Sequence, residues 1–186
     1  MAEIRTIAVI GAGAIGRGIA HASALGGYRT ILEDILPGSL RTAAAEMREY
    51  LARAAALGTV SQTDAEAAFG RLEYVSSVDQ AAREADLVIE SVPEEMESKT
   101  EIFTLLDKIC KPATILASNT TSLSVTEIAS VTYRAKRILG MRFVHPVYAM
   151  RQLEIVRAQE TDEETIAACT EVARRMGKEA LVVKDR

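Results

Sequence analysis

TIAVIGAGAIG, residues 6–16, is the stretch around which the rest of the chain can be ordered. Its first five residues form a short apolar run that breaks into glycines, the pattern of a buried strand in a parallel sheet. Helical spacing takes over from Ala14 to Leu25 and closes at Gly26 and Gly27. A bare G-x-G-x-x-G is weak, because glycines are common; the same pattern joining a strand to a helix is strong. Gly11 permits the tight turn, Gly13 leaves room for a pyrophosphate against the backbone, and Gly16 lets the helix lie close on the strand. With Ala14 and Ile15 completing the turn, phosphates are expected at the positive end of the helix dipole.

Thr30 to Leu32 reads as the second strand, and Asp34 follows roughly 20 residues after the glycines. A carboxylate there accepts hydrogen bonds from the adenosine ribose and repels a 2′-phosphate. Ile35, Leu36 and Pro37 come next, with no adjacent arginine, so NAD is favoured over NADP. The plainer reading of Asp34 is a cap for the following helix. Glu33 is the rival carboxylate, which alternation along the strand is expected to turn away.

Further out, Leu40, Ala44, Met47, Leu51, Ala54 and Leu57 recur at helical spacing and predict one long helix ending at Gly58. Thr63 and Glu66 suit a capping box for a short helix. Strands are predicted over Leu87–Glu90, Thr114–Ala117, Arg137–Phe143, Leu153–Val156 and Ala180–Val183. Helices are predicted over Glu97–Ile109, Val125–Val131 and Glu163–Met176. Strands alternating with helices make an α/β fold, a doubly wound Rossmann-type, mostly parallel sheet with helices on both faces. Residues 1–186 read as one such domain.

Composition narrows the partners. Forty-eight per cent hydrophobic residues supply a core, and a net charge of −4 offers no polybasic footprint for nucleic acid or an anionic membrane. No apolar run reaches the ~20 residues of a membrane span. The opening MAEIRT leads directly into a strand and is read as leaving no room for a signal peptide, so the expectation is a cytoplasmic protein. Cys110 and Cys169 match no metal or redox spacing and are read as buried thiols; no metal site is expected.

Five segments, in order, carry a resemblance: VIGAGAIGRGIA (9–20), ADLVIESVPE (85–94), ILASNTTSLS (115–124), GMRFVHPV (140–147) and GKEALVVKD (177–185). Together they resemble the N-terminal domain of the 3-hydroxyacyl-CoA dehydrogenases across nearly the whole chain. That resemblance implies hydride transfer between NAD and a 3-hydroxyacyl group. It places Glu94 and Lys99 near the ribose and nicotinamide half of the cofactor, and Asn119 near the nicotinamide. The alternative for Glu94 and Lys99 is a solvated helix face. Thr121 stands where the family has a serine whose hydroxyl contacts the substrate oxygen. Glu154 matches the glutamate that orients the catalytic histidine, or is an ordinary surface acid.

The histidine itself is replaced. Where the family reads His-Phe-Phe-Asn-Pro, this chain has Arg142-Phe143-Val144-His145-Pro146. Oxidising an alcohol needs a group that takes the hydroxyl proton, ideally with a pKa near 7. Arginine keeps its proton, so Arg142 is read as a fork for a substrate anion. His145 either takes over as base, if the chain bends before Pro146, or simply replaces the family asparagine. His21, on the first helix, is read as structural.

Tyr50 and Leu57 fall where the family has its serine and lysine contacts to coenzyme A, which weakens that handle. A carrier-protein-bound acyl group or a small free hydroxy acid then becomes more plausible. Past Lys184-Asp185-Arg186 the family continues with Pro-Gly-Phe and a helical second domain, which supplies an active-site asparagine and the homodimer interface. Residues 1–186 do not include it. Two functions follow as expectations: an NAD-dependent dehydrogenase using Thr121, Arg142, His145 and Glu154, or a catalytically silent NAD-binding module.

Overall fold

In the computed structural model, which describes residues 3–186, the apolar runs pair into one sheet of eight strands, ordered β3-β2-β1-β4-β5-β6-β7-β8. Met1 and Ala2, the start of the stretch read as leaving no room for a signal peptide, lie outside the described residues. β1 (Thr6–Ile10) sits in the middle with every residue buried. It runs parallel to β2 (Arg29–Glu33) on one side and β4 (Leu87–Glu90) on the other. β3 (Leu72–Val75), β5 (Ile115–Ser118) and β6 (Ile138–Phe143) extend the parallel part. β7 (Gln152–Arg157) is antiparallel to β6, and β8 (Glu179–Lys184) closes the far edge parallel to β7.

Alternation along β1 divides the core. Ile7 and Val9 pack toward α1 (Ala14–Leu25), α2 (Pro37–Ala56) and α7 (Glu163–Arg175), in a cluster with Ile19, Met47 and Val172. Ala8 and Ile10 face α4 (Val78–Ala82), α5 (Met96–Ile109) and α6 (Val125–Ala129), with Phe103, Leu106 and Ile128. Each fully buried Leu or Phe contributes about 1.5–3 kcal/mol, so both faces hold the sheet. Strand order reverses direction between β1 and β4, and a ligand crevice belongs outside the carboxyl ends of the strands at such a point.

Several boundaries differ from the sequence reading. β3 and α4 were not predicted: they are short, and β3 is only partly buried around Glu73, so neither shows a long apolar period. α3 (Gln62–Gly70) is capped by the Ser61 hydroxyl, which accepts from the Asp64 amide; Thr63 lies inside the helix and makes no capping box. α2 buries Ala43, Met47 and Leu51, whereas Leu57 is 72% exposed past its end. Cys110 and Cys169 are buried thiols, pushed up to about 11 and 12, mainly by burial. Among the described residues no helix is long and apolar enough to cross a membrane, and no group of acidic, His and Cys side chains could hold a metal.

The loop after β6 folds back over α1. A Cβ on Gly18 would come within 2.6 Å of the Val147 side chain, so only glycine permits this approach. Lys178 fastens the same loop by donating to the Val147 and Met150 carbonyls.

Candidate functional site

The glycine turn is built for an anion. Gly11 has φ +102, a left-handed conformation that side chains avoid, and a Cβ there would lie 2.5 Å from the Ser91 carbonyl oxygen. A Cβ on Gly16 would meet the Gly11 carbonyl oxygen at 1.8 Å, so the first turn of α1 lies on the loop itself. Gly13 is different: nothing in the protein comes within 4 Å of a Cβ placed there. It is the N-cap of α1, with no side chain capping the helix and no acid in its first turn, which leaves the amide donors for a ligand.

Above the turn runs a cleft of about 690 Å³. Gly11, Gly13, Ala14 and Ile15 form its floor beside Asp34, while Ile35, Leu36, Val78 and Ile102 make an apolar slot at one end. Glu94, Asn119 and Thr121 mark the other end. Asp34 is not the cap of α2, whose N-cap is Leu36. Its carboxylate accepts from the Ala12 amide at 3.0 Å and the Leu36 amide at 2.9 Å, and so braces the glycine turn. The open space over Gly13 and the uncapped helix end fit the phosphates of a dinucleotide, with the Asp34 carboxylate lining the cleft beside them. Gly13→Ala is accordingly expected to leave the folding stability within about 0.5 kcal/mol of wild type. It should weaken NAD by roughly 10–100-fold, measured by calorimetry. An unchanged affinity would move the pyrophosphate away from Gly13.

Beyond the cleft, charges alternate through the protein. Glu90 ends β4 fully buried and accepts from Lys99 Nζ at 2.7 Å, from the Ser118 hydroxyl at 2.6 Å and from the Val92 amide at 2.7 Å. Burial still pushes its carboxyl up against those partners. Lys99 also lies 3.5 Å from Glu94. Glu94 in turn gathers the Thr120 hydroxyl at 2.6 Å, the Thr121 amide at 2.9 Å and the Ser122 amide at 3.1 Å. Burial works to raise Glu94, but these donors and Lys99 outweigh it and hold it at about 2. The Thr120 carbonyl then accepts from Arg142 Nε at 2.9 Å, and Arg142 Nη1 lies 2.5 Å from Glu154 Oε2, its register partner across β6 and β7.

With this geometry in view, the chain matches the family model described as 3-hydroxyacyl-CoA dehydrogenase, NAD binding domain, over residues 6–186. The chain belongs to this family. A probable 3-hydroxybutyryl-CoA dehydrogenase of Bacillus subtilis is 42% identical over 98% of the chain and 63% of that protein. A 3-hydroxybutyryl-CoA dehydrogenase of Bradyrhizobium diazoefficiens is 36% identical over 99% of the chain and 62% of that protein. The crystal structure of (S)-3-hydroxybutyryl-CoA dehydrogenase from Ralstonia eutropha superposes with a TM-score of 0.94 at 34% identity, covering 99% of this chain and 65% of that one. The chain thus spans under two thirds of the length of these relatives. Its cofactor is NAD.

Membership in the 3-hydroxyacyl-CoA dehydrogenase family makes the departures legible. Arg142 and Glu154 are paired, so the position of the family's histidine still faces the glutamate across the strands, with arginine in place of the base. The fork expected to grip a substrate anion is engaged by Glu154 and the Thr120 carbonyl. Asn119 keeps its place by accepting from the Phe143 amide at 3.0 Å. Lys99 is fully buried behind Glu90 and Glu94, on neither a solvated face nor the cleft wall, and reaches the cleft only through those acids.

His145 lies elsewhere. The chain turns after Phe143, and His145 is exposed at the mouth of a second, smaller cavity of about 170 Å³ with His21, Tyr50 and Tyr148. Ala14 lines both cavities. His21 is buried with both ring nitrogens unpartnered, and burial together with the Lys178 charge lowers it to about 4, so it is neutral at pH 7. Its ring meets Tyr50 edge-on at 6.0 Å, and Tyr50 packs on Tyr148 at 5.3 Å.

Two groups at the site escaped the sequence reading. Glu90 could have been found as an acid ending an otherwise apolar strand. Thr120 acts through its backbone carbonyl as well as its hydroxyl, and a backbone role leaves no mark in the sequence. Glu33 also corrects an expectation: it lines the dinucleotide cleft beside Asp34. Alternation does point it to the other face of β2, but the cleft runs over the strand ends and is open to both faces.

Proposed function

We propose that the chain is the cofactor-binding half of an NAD-dependent dehydrogenase acting on a 3-hydroxyacyl group. The observation that carries this reading is the continuity of the NAD cleft, at its Asn119 and Thr121 end, with a network that runs through Thr120 to the Arg142–Glu154 pair. NAD supplies the hydride acceptor. Thr121, on the rim of the cleft, holds the substrate oxygen by its hydroxyl. Glu94 fixes the backbone of Thr121 and Ser122, and Arg142 fixes the Thr120 carbonyl, so the turn that presents the hydroxyl is held from both sides. Arg142 stays charged and is a positioning residue; it takes no proton. The hydroxyl proton passes to water in the open cleft, because Arg142 keeps its own and His145 lines the second cavity rather than this one. We assign one wall of the substrate cleft and a homodimer contact to the portion of such proteins that this chain does not span.

The test is single-turnover formation of NADH with protein in excess. It is run on 3-hydroxybutyryl-CoA, a carrier-protein-bound 3-hydroxyacyl group and a free 3-hydroxy acid. Turnover of one of them establishes the activity and names the handle. His145→Ala is then expected to leave that rate unchanged, since His145 lines the other cavity. A rate slowed by about 10²–10⁴-fold would instead make His145 the base, and no turnover beside normal NAD binding identifies a silent binding module.

A further inference from the structure

Glu33 ends β2 under the apolar end of the cleft, where its side chain is 2% exposed and its Oε1 has no hydrogen-bond partner. A buried ionised carboxyl without a cation or donors is costly, and such a group is easier to hold as the neutral acid. Its surroundings offer no relief. Ile10 of β1 and Val75 of β3 flank it in register, and Val78 of α4 and Ile102 of α5 share its cavity. The charge that bears on it is that of Asp34, its chain neighbour, while Glu90 lies two strands away and is paired with Lys99. Burial first, and Asp34 second, push Glu33 up to about 7.

A neutral carboxylic acid has a donor that a carboxylate lacks. The place where Glu33 offers it lies in the cleft beside Asp34, where the apolar Ile35 and Leu36 also line the wall. We propose that Glu33, in its protonated form, donates a hydrogen bond to the adenosine half of the bound dinucleotide and makes cofactor affinity depend on pH. This rests on the reading of the cleft as the NAD site. Ionisation removes the donor and sets a second carboxylate beside Asp34, facing a ligand that carries two phosphates. Affinity therefore falls as pH rises through the Glu33 titration. Apparent affinity scales with the protonated fraction, which for a group near 7 drops about tenfold between pH 6 and pH 8.

The experiment is calorimetric titration with ADP-ribose and, separately, nicotinamide mononucleotide across that range, on wild type and Glu33→Gln. The amide keeps the shape and a donor but does not titrate. ADP-ribose is expected to weaken about tenfold for wild type and to stay flat for Glu33→Gln at the wild-type low-pH value. The mononucleotide should show no such dependence. Melting gives a second measurement. An acid raised by folding contributes stability at low pH that is lost as pH rises, so Glu33→Gln should melt above wild type at alkaline pH and level with it at acid pH. Equal ADP-ribose affinity at both ends of the range overturns the proposal. So does a pH dependence that persists in Glu33→Gln, or one shared by the mononucleotide. If the variant does not fold, the two wild-type ligands still decide. Failure of ADP-ribose to bind at any pH overturns the cofactor reading and this inference with it.

Discussion

Lys99→Met is expected to cost about 3–5 kcal/mol of folding stability, the loss seen when one partner of a buried ion pair is removed. Lys99 and Glu90 are both fully buried and 2.7 Å apart, and Lys99 also compensates Glu94 at 3.5 Å. Without the ammonium, Glu90 is a carboxylate in a low-dielectric interior with only the Ser118 hydroxyl and the Val92 amide to hold it. It escapes by taking up a proton. An acid whose pKa is raised by folding loses stability as pH rises, so the deficit of Lys99→Met should grow from acid to neutral pH in denaturant titrations. Glu90→Gln combined with Lys99→Met removes both charges and should recover most of the loss, because a neutral buried pair has no uncompensated charge. A double variant as unstable as the sum of the singles would show that packing of the lysine stem, not charge, governs the site. A second effect follows downstream. Glu94 loses a cation that helps keep it ionised, and the turn carrying Thr121 loosens with it.

Arg142→His is expected to raise single-turnover hydride transfer by about 10²–10⁴-fold, the range a positioned general base contributes. The change supplies a titratable imidazole opposite Glu154, where the register across β6 and β7 already holds the partner carboxylate. The rate should then climb in a step centred near the histidine pKa, about 6.5 shifted upward by the adjacent carboxylate. The same substitution removes the bond from Arg142 Nε to the Thr120 carbonyl, a loss of about 1 kcal/mol in stability. A gain of less than tenfold would mean that the native chain already moves its proton by another group, with His145 the first to examine. A loss of activity would instead make Arg142 itself indispensable, as the brace of the Thr120 turn.

Much of this protein is legible in its sequence because local rules and global packing agree there. TIAVIGAGAIG announces a strand, a glycine turn and a helix, and each glycine has the steric reason that the pattern implies. Asp34, singled out by its distance from the glycines, lines the cleft beside the glycine turn. The apolar runs order the sheet, and the replacement of the family histidine by Arg142 is visible from the motif alone.

Tertiary structure decided what depends on distant segments meeting. Lys99 and Glu90 are nine residues apart in sequence, and only the packing of α5 against β4 turns a surface-looking lysine into a buried counter-ion. Arg142 reads as a free anion grip until β7 returns antiparallel and sets Glu154 against it. His145 reads as a neighbour of the lost base, yet the turn after Phe143 carries it into the second cavity, with His21 and Tyr50. Glu33 reads as turned away because strand alternation is a local rule, while a cleft over the ends of several strands admits both faces. Spacing along the chain determines which side chains share a face; whether a charge is solvated, paired or stranded depends on which other elements close over it.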